Sequence, residues 1–237
     1  MGHVGLSSKK FVFLQDRDRN LFRWISEQKF GSKEQVQRVF FSGRQGSDRV
    51  CLRRLGELLK FGFLEKRHVV TDAVRLYQVG RLGLAELGVR GEQALPYLDR
   101  IDLKNFEHDL RVSECRIALE EMGARDWQSE RRLVQASMRS PVPDAVFALG
   151  DNRIALELEL TLKRLDRYPN ILRSYNDRKE LELVFYVCGT AAVRDAVWRA
   201  AGDSRRFYFA LWDDFRADPR ATVFENRYDR VATQELA

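Results

Sequence analysis

Pro143-Asp144 is followed, one short connection later, by Glu157-Leu158-Glu159 and then by Lys163. Three carboxylates and an ammonium at that spacing suit a divalent cation and a phosphate. Carboxylates resist crowding and burial unless a positive charge joins them. A hard cation such as Mg²⁺ or Mn²⁺ is the usual partner, held by carboxylate oxygens and shared with substrate phosphates. Such an ion lowers the pKa of a bound water, polarises a phosphoryl group and steadies a leaving oxygen. Asp144, Glu157 and Glu159 are therefore candidate metal ligands and candidate catalytic residues. Lys163 is a fourth catalytic candidate, placed to neutralise charge developing on a phosphate.

The surrounding pattern predicts the element that gathers them. Residues 144–149 and 153–161 read as two strands joined at Gly150-Asp151, a glycine-first turn that suits a hairpin. Side chains alternate faces along a strand. Ile154, Leu156, Leu158 and Leu160 then share one face, and Ala155, Glu157, Glu159 and Thr161 the other. Pairing Leu149 with Asn152 sets Asp144 opposite Glu157, and the same register puts Ala145, Phe147 and Leu149 on the apolar face. Apolar pattern and turn chemistry agree, which is how register is set. The competing reading is a solvated edge strand, charged on its outer side.

Bulk properties describe an ordinary globular chain. It has 237 residues, 44% hydrophobic and 32% charged, enough for one large domain or two modest ones and too apolar for a disordered chain. No apolar run approaches the roughly 20 residues a membrane span needs. The start, MGHVGLSSKK, lacks the apolar core of a secretion signal, so a cytoplasmic protein without membrane insertion is expected. Cys51, Cys115 and Cys188 are scattered and form no metal-spaced set with His3, His68 and His108, so they read as reduced, buried thiols and not as a zinc site. Charge is uneven. Residues 1–100 carry 19 Lys and Arg against 11 Asp and Glu, a net +8, while the rest carries 22 against 24, a net −2. A basic first half points to a polyanion, most simply double-stranded DNA.

Residues 1–88 read as a winged helix-turn-helix. Leu21, Phe22, Trp24 and Ile25 give a helix over 16–28, and Ser32-Lys33-Glu34-Gln35 is a capping box that opens a second helix to about 41. A third runs over 47–61 and stops at Gly62. Two short β-like runs, 63–70 and 74–79, separated by residues 71–73, have the shape of a wing, and 80–87 reads as another helix. On the third helix Cys51, Leu52, Leu55, Leu58 and Leu59 make one face, while Arg49, Arg53 and Lys60 make another, with Arg54 to the side. In such domains this helix enters the major groove and basic neighbours hold phosphates. The candidate DNA-binding residues are Arg44, Arg49, Arg53, Arg54, Lys60, Lys66 and Arg67, with His68 beside the last two. The alternative is a three-helix module that binds protein.

Residues 89–105, with Gly91 and Pro96, read as a linker. Residues 106–237 then predict a helix over 106–122, a strand over 126–133, the carboxylate hairpin, and a helix over 165–179 with Pro169 in an early turn. A buried strand over 181–188, a helix over 191–201, a strand over 207–212 and an edge strand at 223–224 follow. That is a mixed-sheet α/β arrangement. Glu130 is a further candidate ligand, more simply a surface carboxylate. His108 and Asp109 read as structural, Tyr168 and Tyr175 as helix packing and not covalent nucleophiles, and Trp127, Trp198 and Trp212 as core.

The order of these elements, with Pro-Asp on one strand and acids on the next, resembles the PD-(D/E)xK nuclease superfamily. A closer resemblance is to the replication-relaxation family. It is carried by Phe106-Glu-His-Asp-Leu110, Trp127-Gln-Ser-Glu130, Pro143-Asp-Ala-Val-Phe147, and Ala155 through Lys163 continuing to Arg167-Tyr168 and Tyr175. The resemblance implies a winged helix followed by a restriction-endonuclease-like mixed-sheet domain, an α+β or α/β chain. Some members are similar to MOB-C-type relaxases, which nick plasmid transfer origins with a metal-dependent centre. It implies that Asp144 and Glu157 match the acidic metal ligands, and that Glu159 stands where the wider superfamily keeps lysine, with Lys163 as its spatial substitute. The function so implied is metal-dependent nicking of plasmid or mobile-element DNA with Mg²⁺ or Mn²⁺. The implied partners are coupling or transfer proteins and a second copy of the chain. The alternative is a non-enzymatic DNA-binding regulator, or a replication or transfer accessory protein, on a nuclease-like scaffold.

Overall fold

A computed structural model of the chain describes residues 12–43, 46–67, 75–89, 93–136, 138 and 141–236. Arg44, His68, Gly91 and the 71–73 connection lie outside the described residues. The chain divides into two units, Met1–Ser26 with Phe30–Asp99, and Glu27–Lys29 with Arg100–Ala237.

The first unit contains α1 (Asp16–Glu27, to Ser26), β1 (Gly31–Ser32), α2 (Lys33–Phe40), α3 (Ser47–Lys60), β2 (Leu64–Arg67), β3 (Leu76–Val79) and α4 (Arg81–Val89). Its three strands form an antiparallel sheet in the order β1-β3-β2. Ser32 opens α2 with the expected capping box: its hydroxyl accepts from Gln35 N, and Gln35 accepts from Ser32 N. The α3 stripe predicted from spacing is buried at Cys51, Leu55 and Leu58. Phe22 and Ile25 of α1 and Leu64 and Leu76 of the sheet are likewise buried. Each such side chain is worth about 1.5–3 kcal/mol of transfer free energy.

The second unit is built on a seven-stranded mixed sheet. Its elements are α5 (Phe106–Glu121), β4 (Arg125–Ser129), α6 (Glu130–Gln135), β5 (Ala145–Leu149), β6 (Asn152–Glu159), a 3₁₀ turn (Leu165–Arg167), α7 (Tyr168–Asn176), β7 (Leu183–Cys188), α8 (Ala191–Ala201), β8 (Phe207–Leu211), α9 (Trp212–Ala217), β9 (Val223–Glu225) and β10 (Arg230–Ala232). Strand order is β10-β9-β8-β7-β6-β5-β4. β6, β7 and β8 run parallel, and the other pairs are antiparallel. The parallel strands need crossovers, which α7 and α8 supply. One face of the sheet packs Ile154, Leu156, Leu158 and Phe185 against Cys115 and Leu119 of α5 and Phe215 of α9. The other packs Val146, Ala155, Tyr186 and Cys188 against Tyr168, Leu172 and Tyr175 of α7 and Val193 and Val197 of α8.

Some expected boundaries move, and one strand changes its place in the sheet. The strand predicted over 126–133 ends at Ser129, whose hydroxyl accepts from Arg132 N and so opens α6. Trp212, expected to close a strand, starts α9 and is buried. Val223-Phe224, expected at the edge, lies in β9 between β8 and β10. Pro169 sits in the first turn of α7, where its missing N–H costs nothing. All three cysteines are buried and free. No helix among the described residues is long and apolar enough to cross a membrane.

Candidate functional site

The β5–β6 hairpin takes the predicted register, Leu149 against Asn152 through Ala145 against Leu156. Asp144, one residue before β5, therefore stands opposite Glu157 when that register is continued by one step, as the sequence predicts. Gly150 makes this turn possible in two ways. Its φ is +56, and a Cβ there would come within 2.4 Å of the Leu236 carbonyl oxygen. β6 is not an edge: β5 and β7 flank it and helices cover both faces, so the solvated-edge reading fails. Glu157 is 7% exposed and Glu159 4%.

Each carboxylate meets a different partner. Asp144 Oδ2 accepts from Leu158 N at 2.8 Å and lies 3.2 Å from His108 Nε2. Glu157 accepts a hydrogen bond from the Tyr175 hydroxyl. Glu159 pairs with Lys163 Nζ at 2.7 Å. Lys163 is anchored in turn, its backbone N donating to the Tyr168 hydroxyl at 3.0 Å. Electrostatically the acids remain under-neutralised. Burial, reinforced by the negative charge of Asp144, pushes Glu157 up to about 8, against the opposing pull of Lys163 and Tyr175. Burial also raises Glu159, with Lys163 opposing and Asp144 adding. Lys163 is itself raised: burial works against its charge, but Glu157, Glu159 and Asp144 outweigh it.

These groups line a cleft of about 1010 Å³. The start of α5 and the residues just before it form one wall with Lys104, Asn105 and His108, and α7 with the turn before it forms another with Arg167, Asn170 and Ser174. Lys29 bridges Asp109 at 2.8 Å and Glu130 at 3.2 Å, so Glu130, the expected further ligand, lies on the cleft wall with a lysine on its carboxylate. Three acids with only oxygen donors suit a hard cation in kind. As the side chains stand, no three His, Cys, Asp or Glu groups among the described residues are arranged to hold a metal ion. An ion there has to take Glu159 from Lys163.

His108 and Tyr175 touch the carboxylates, although the sequence reading made both structural. His108 lies between Asp144 and Asp109, with Nδ1 3.6 Å from Asp109. Burial opposes its charge, yet the facing carboxylates of Asp109 and Asp144 prevail and push the imidazole up to about 10. The available signal was a histidine inside the Phe106–Leu110 phrase, but the adjacent helix positions gave no hint of a strand residue 36 positions away. Trp127 and Trp212 are buried in the core, and Trp198 stacks on Phe209 at 5.4 Å.

The DNA-binding candidates separate into two sets. Arg49, Arg53, Lys60 and Lys66 are exposed. Arg54 is committed internally, bonded to Asp18, Glu57 and the Phe13 carbonyl. Arg67 bonds Gln78, Glu65 and the Tyr97 hydroxyl.

Compared with known proteins, the chain matches the replication-relaxation family over residues 22–181, and it belongs to that family. Membership points to a role in replication or mobilisation of genetic elements. No curated protein and no solved structure matches the chain.

Proposed function

We propose that the protein binds double-stranded DNA of a plasmid or other mobile element through its first unit and nicks a phosphodiester at the carboxylate cleft of its second. The observation that carries the reading is the set Asp144, Glu157 and Glu159, two of them buried in mid-sheet, repelling one another beside Lys163. Mutually repelling carboxylates facing a polar cleft are short of positive charge, and a cation supplies it. In this reading Asp144, Glu157 and Glu159 hold Mg²⁺ or Mn²⁺. The bound ion would activate an oxygen nucleophile and polarise the phosphoryl group. Lys163, freed from Glu159, turns its ammonium toward the phosphate, and Lys104 and Arg167 offer charge along the cleft walls. In the first unit, three helices followed by two antiparallel strands support the winged-helix reading. Arg49, Arg53, Lys60 and Lys66 are its exposed cations, suited to phosphates.

One observation favours a second reading, a non-enzymatic DNA-binding regulator: the carboxylates are not preassembled around an ion. Supercoiled plasmid carrying the element's own DNA, incubated with Mn²⁺, separates the two. The proposal expects relaxation that disappears in Asp144→Ala and Glu157→Ala while DNA binding persists. Binding with no relaxation by the wild type would establish the regulator instead.

A further inference from the structure

His108 stands in an unusual place for a residue three positions into a helix. Its Nε2 is 3.2 Å from Asp144 Oδ2 and 3.2 Å from the carbonyl oxygen of Leu158. Asp144 Oδ2 in turn accepts from Leu158 N at 2.8 Å. Imidazole, carboxylate and peptide thus close a ring around Leu158, the residue between Glu157 and Glu159. Both groups facing Nε2 are acceptors, so Nε2 carries a hydrogen. The two contacts to Asp144 fall on Oδ2, and Oδ1 takes neither.

We infer that His108 is a positioning residue of the carboxylate site: it ties Asp144 and the β6 backbone together, so that Asp144 offers Oδ1 to the cleft while the flanking glutamates keep a fixed aim. The inference rests on the metal-binding reading of that site. Partners behind a ligating carboxylate orient it, and removing them typically weakens metal binding by about 10–100-fold. The contacts of Nδ1 differ in kind, since Asp109 lies 3.6 Å away and already holds Lys29.

The test uses the full chain, Mn²⁺ alone as probe, and calorimetry alongside thermal melting. Glutamine places an amide nitrogen near the Nε2 position of histidine, whereas asparagine places it near Nδ1. His108→Gln should therefore keep most of the Mn²⁺ affinity, and His108→Asn should lose about 10–100-fold, with the two variants melting alike. A merely structural histidine does not distinguish them. Equal affinity in wild type, Gln and Asn overturns the inference and leaves the metal reading intact. Equal loss in both variants, in step with a lowered melting temperature, overturns it as well and makes His108 structural. A wild type that takes up no Mn²⁺ overturns the metal reading and this inference with it.

Discussion

Asp18 in the first unit and Glu157 in the second are both buried acids, and their surroundings differ sharply. Asp18 is fully buried with both oxygens engaged: Arg54 Nε at 3.0 Å on one, Arg54 NH2 at 2.5 Å and Gln15 N at 2.8 Å on the other. That is the two-pronged arginine–carboxylate geometry, the strongest form of such a pair. Glu157 has a neutral tyrosine hydroxyl and the negative field of Asp144. Lys163, the cation that opposes that field, makes its direct contact with Glu159 instead. The first acid is saturated and acts as a lock. The second is left short of charge, which costs stability and makes sense where an added cation completes the site.

Breaking the lock should have the largest effect. Asp18→Ala removes the two-pronged pair and leaves Arg54 with only Glu57 and the Phe13 carbonyl, and is expected to cost about 1.5–3 kcal/mol in urea unfolding. Glu157→Gln in chelator should cost nothing or stabilise, because it removes an acid that the fold disfavours as an anion. If Glu157→Gln proved the more damaging of the two, the comparison would be wrong.

The pH dependence sharpens the contrast. Glu157 sits at about 8 when folded, above its ordinary 4.5. Between those values the folded state binds more protons than the unfolded state, so stability falls as pH rises. Its contribution is fully present below about 4.5 and is lost as pH passes through 8, and Glu159 acts in the same sense. Melting in chelator across that window should show the decline, and Glu157→Gln should flatten it. A wild-type profile that rises with pH there would contradict the assignment.

The arginines of α3 extend the comparison to DNA. Arg53→Ala removes an exposed charge and should reduce the salt slope of DNA binding by about 0.9, with stability within about 0.5 kcal/mol of wild type. Arg54→Ala should do the reverse, destabilising the fold in urea unfolding through loss of its Asp18 pair. The smallest effect is expected at Glu130, whose pair with Lys29 is half-exposed. Glu130→Ala should change stability by about 1 kcal/mol or less and leave Mn²⁺ uptake, measured by calorimetry, unchanged.

What the sequence revealed follows the range of the interactions involved. The hairpin register was legible because Gly150-Asp151 and the alternation of Ile154, Leu156 and Leu158 are local signals that agree. The capping box at Ser32 was legible for the same reason. Short helices were not: α6 and α9 have six residues each, and each follows its strand directly, with no turn residue between to mark the change. The partners of the carboxylates were hidden by distance along the chain. Asp144 and His108 are 36 residues apart, Glu157 and Tyr175 are 18, and nothing near either pair foretells the meeting. The same holds for Arg54, which reads as a surface cation until Asp18, 36 residues earlier, is seen beneath it.

The most direct test of the central claim is thermal melting of the wild type in chelator and in saturating Mn²⁺, with Glu157→Gln measured in parallel. A ligand at 100 times its dissociation constant adds about 2.7 kcal/mol. The account predicts that Mn²⁺ raises the wild-type midpoint and does little for the variant. Identical wild-type midpoints in chelator and Mn²⁺ would show that these carboxylates do not take up the ion.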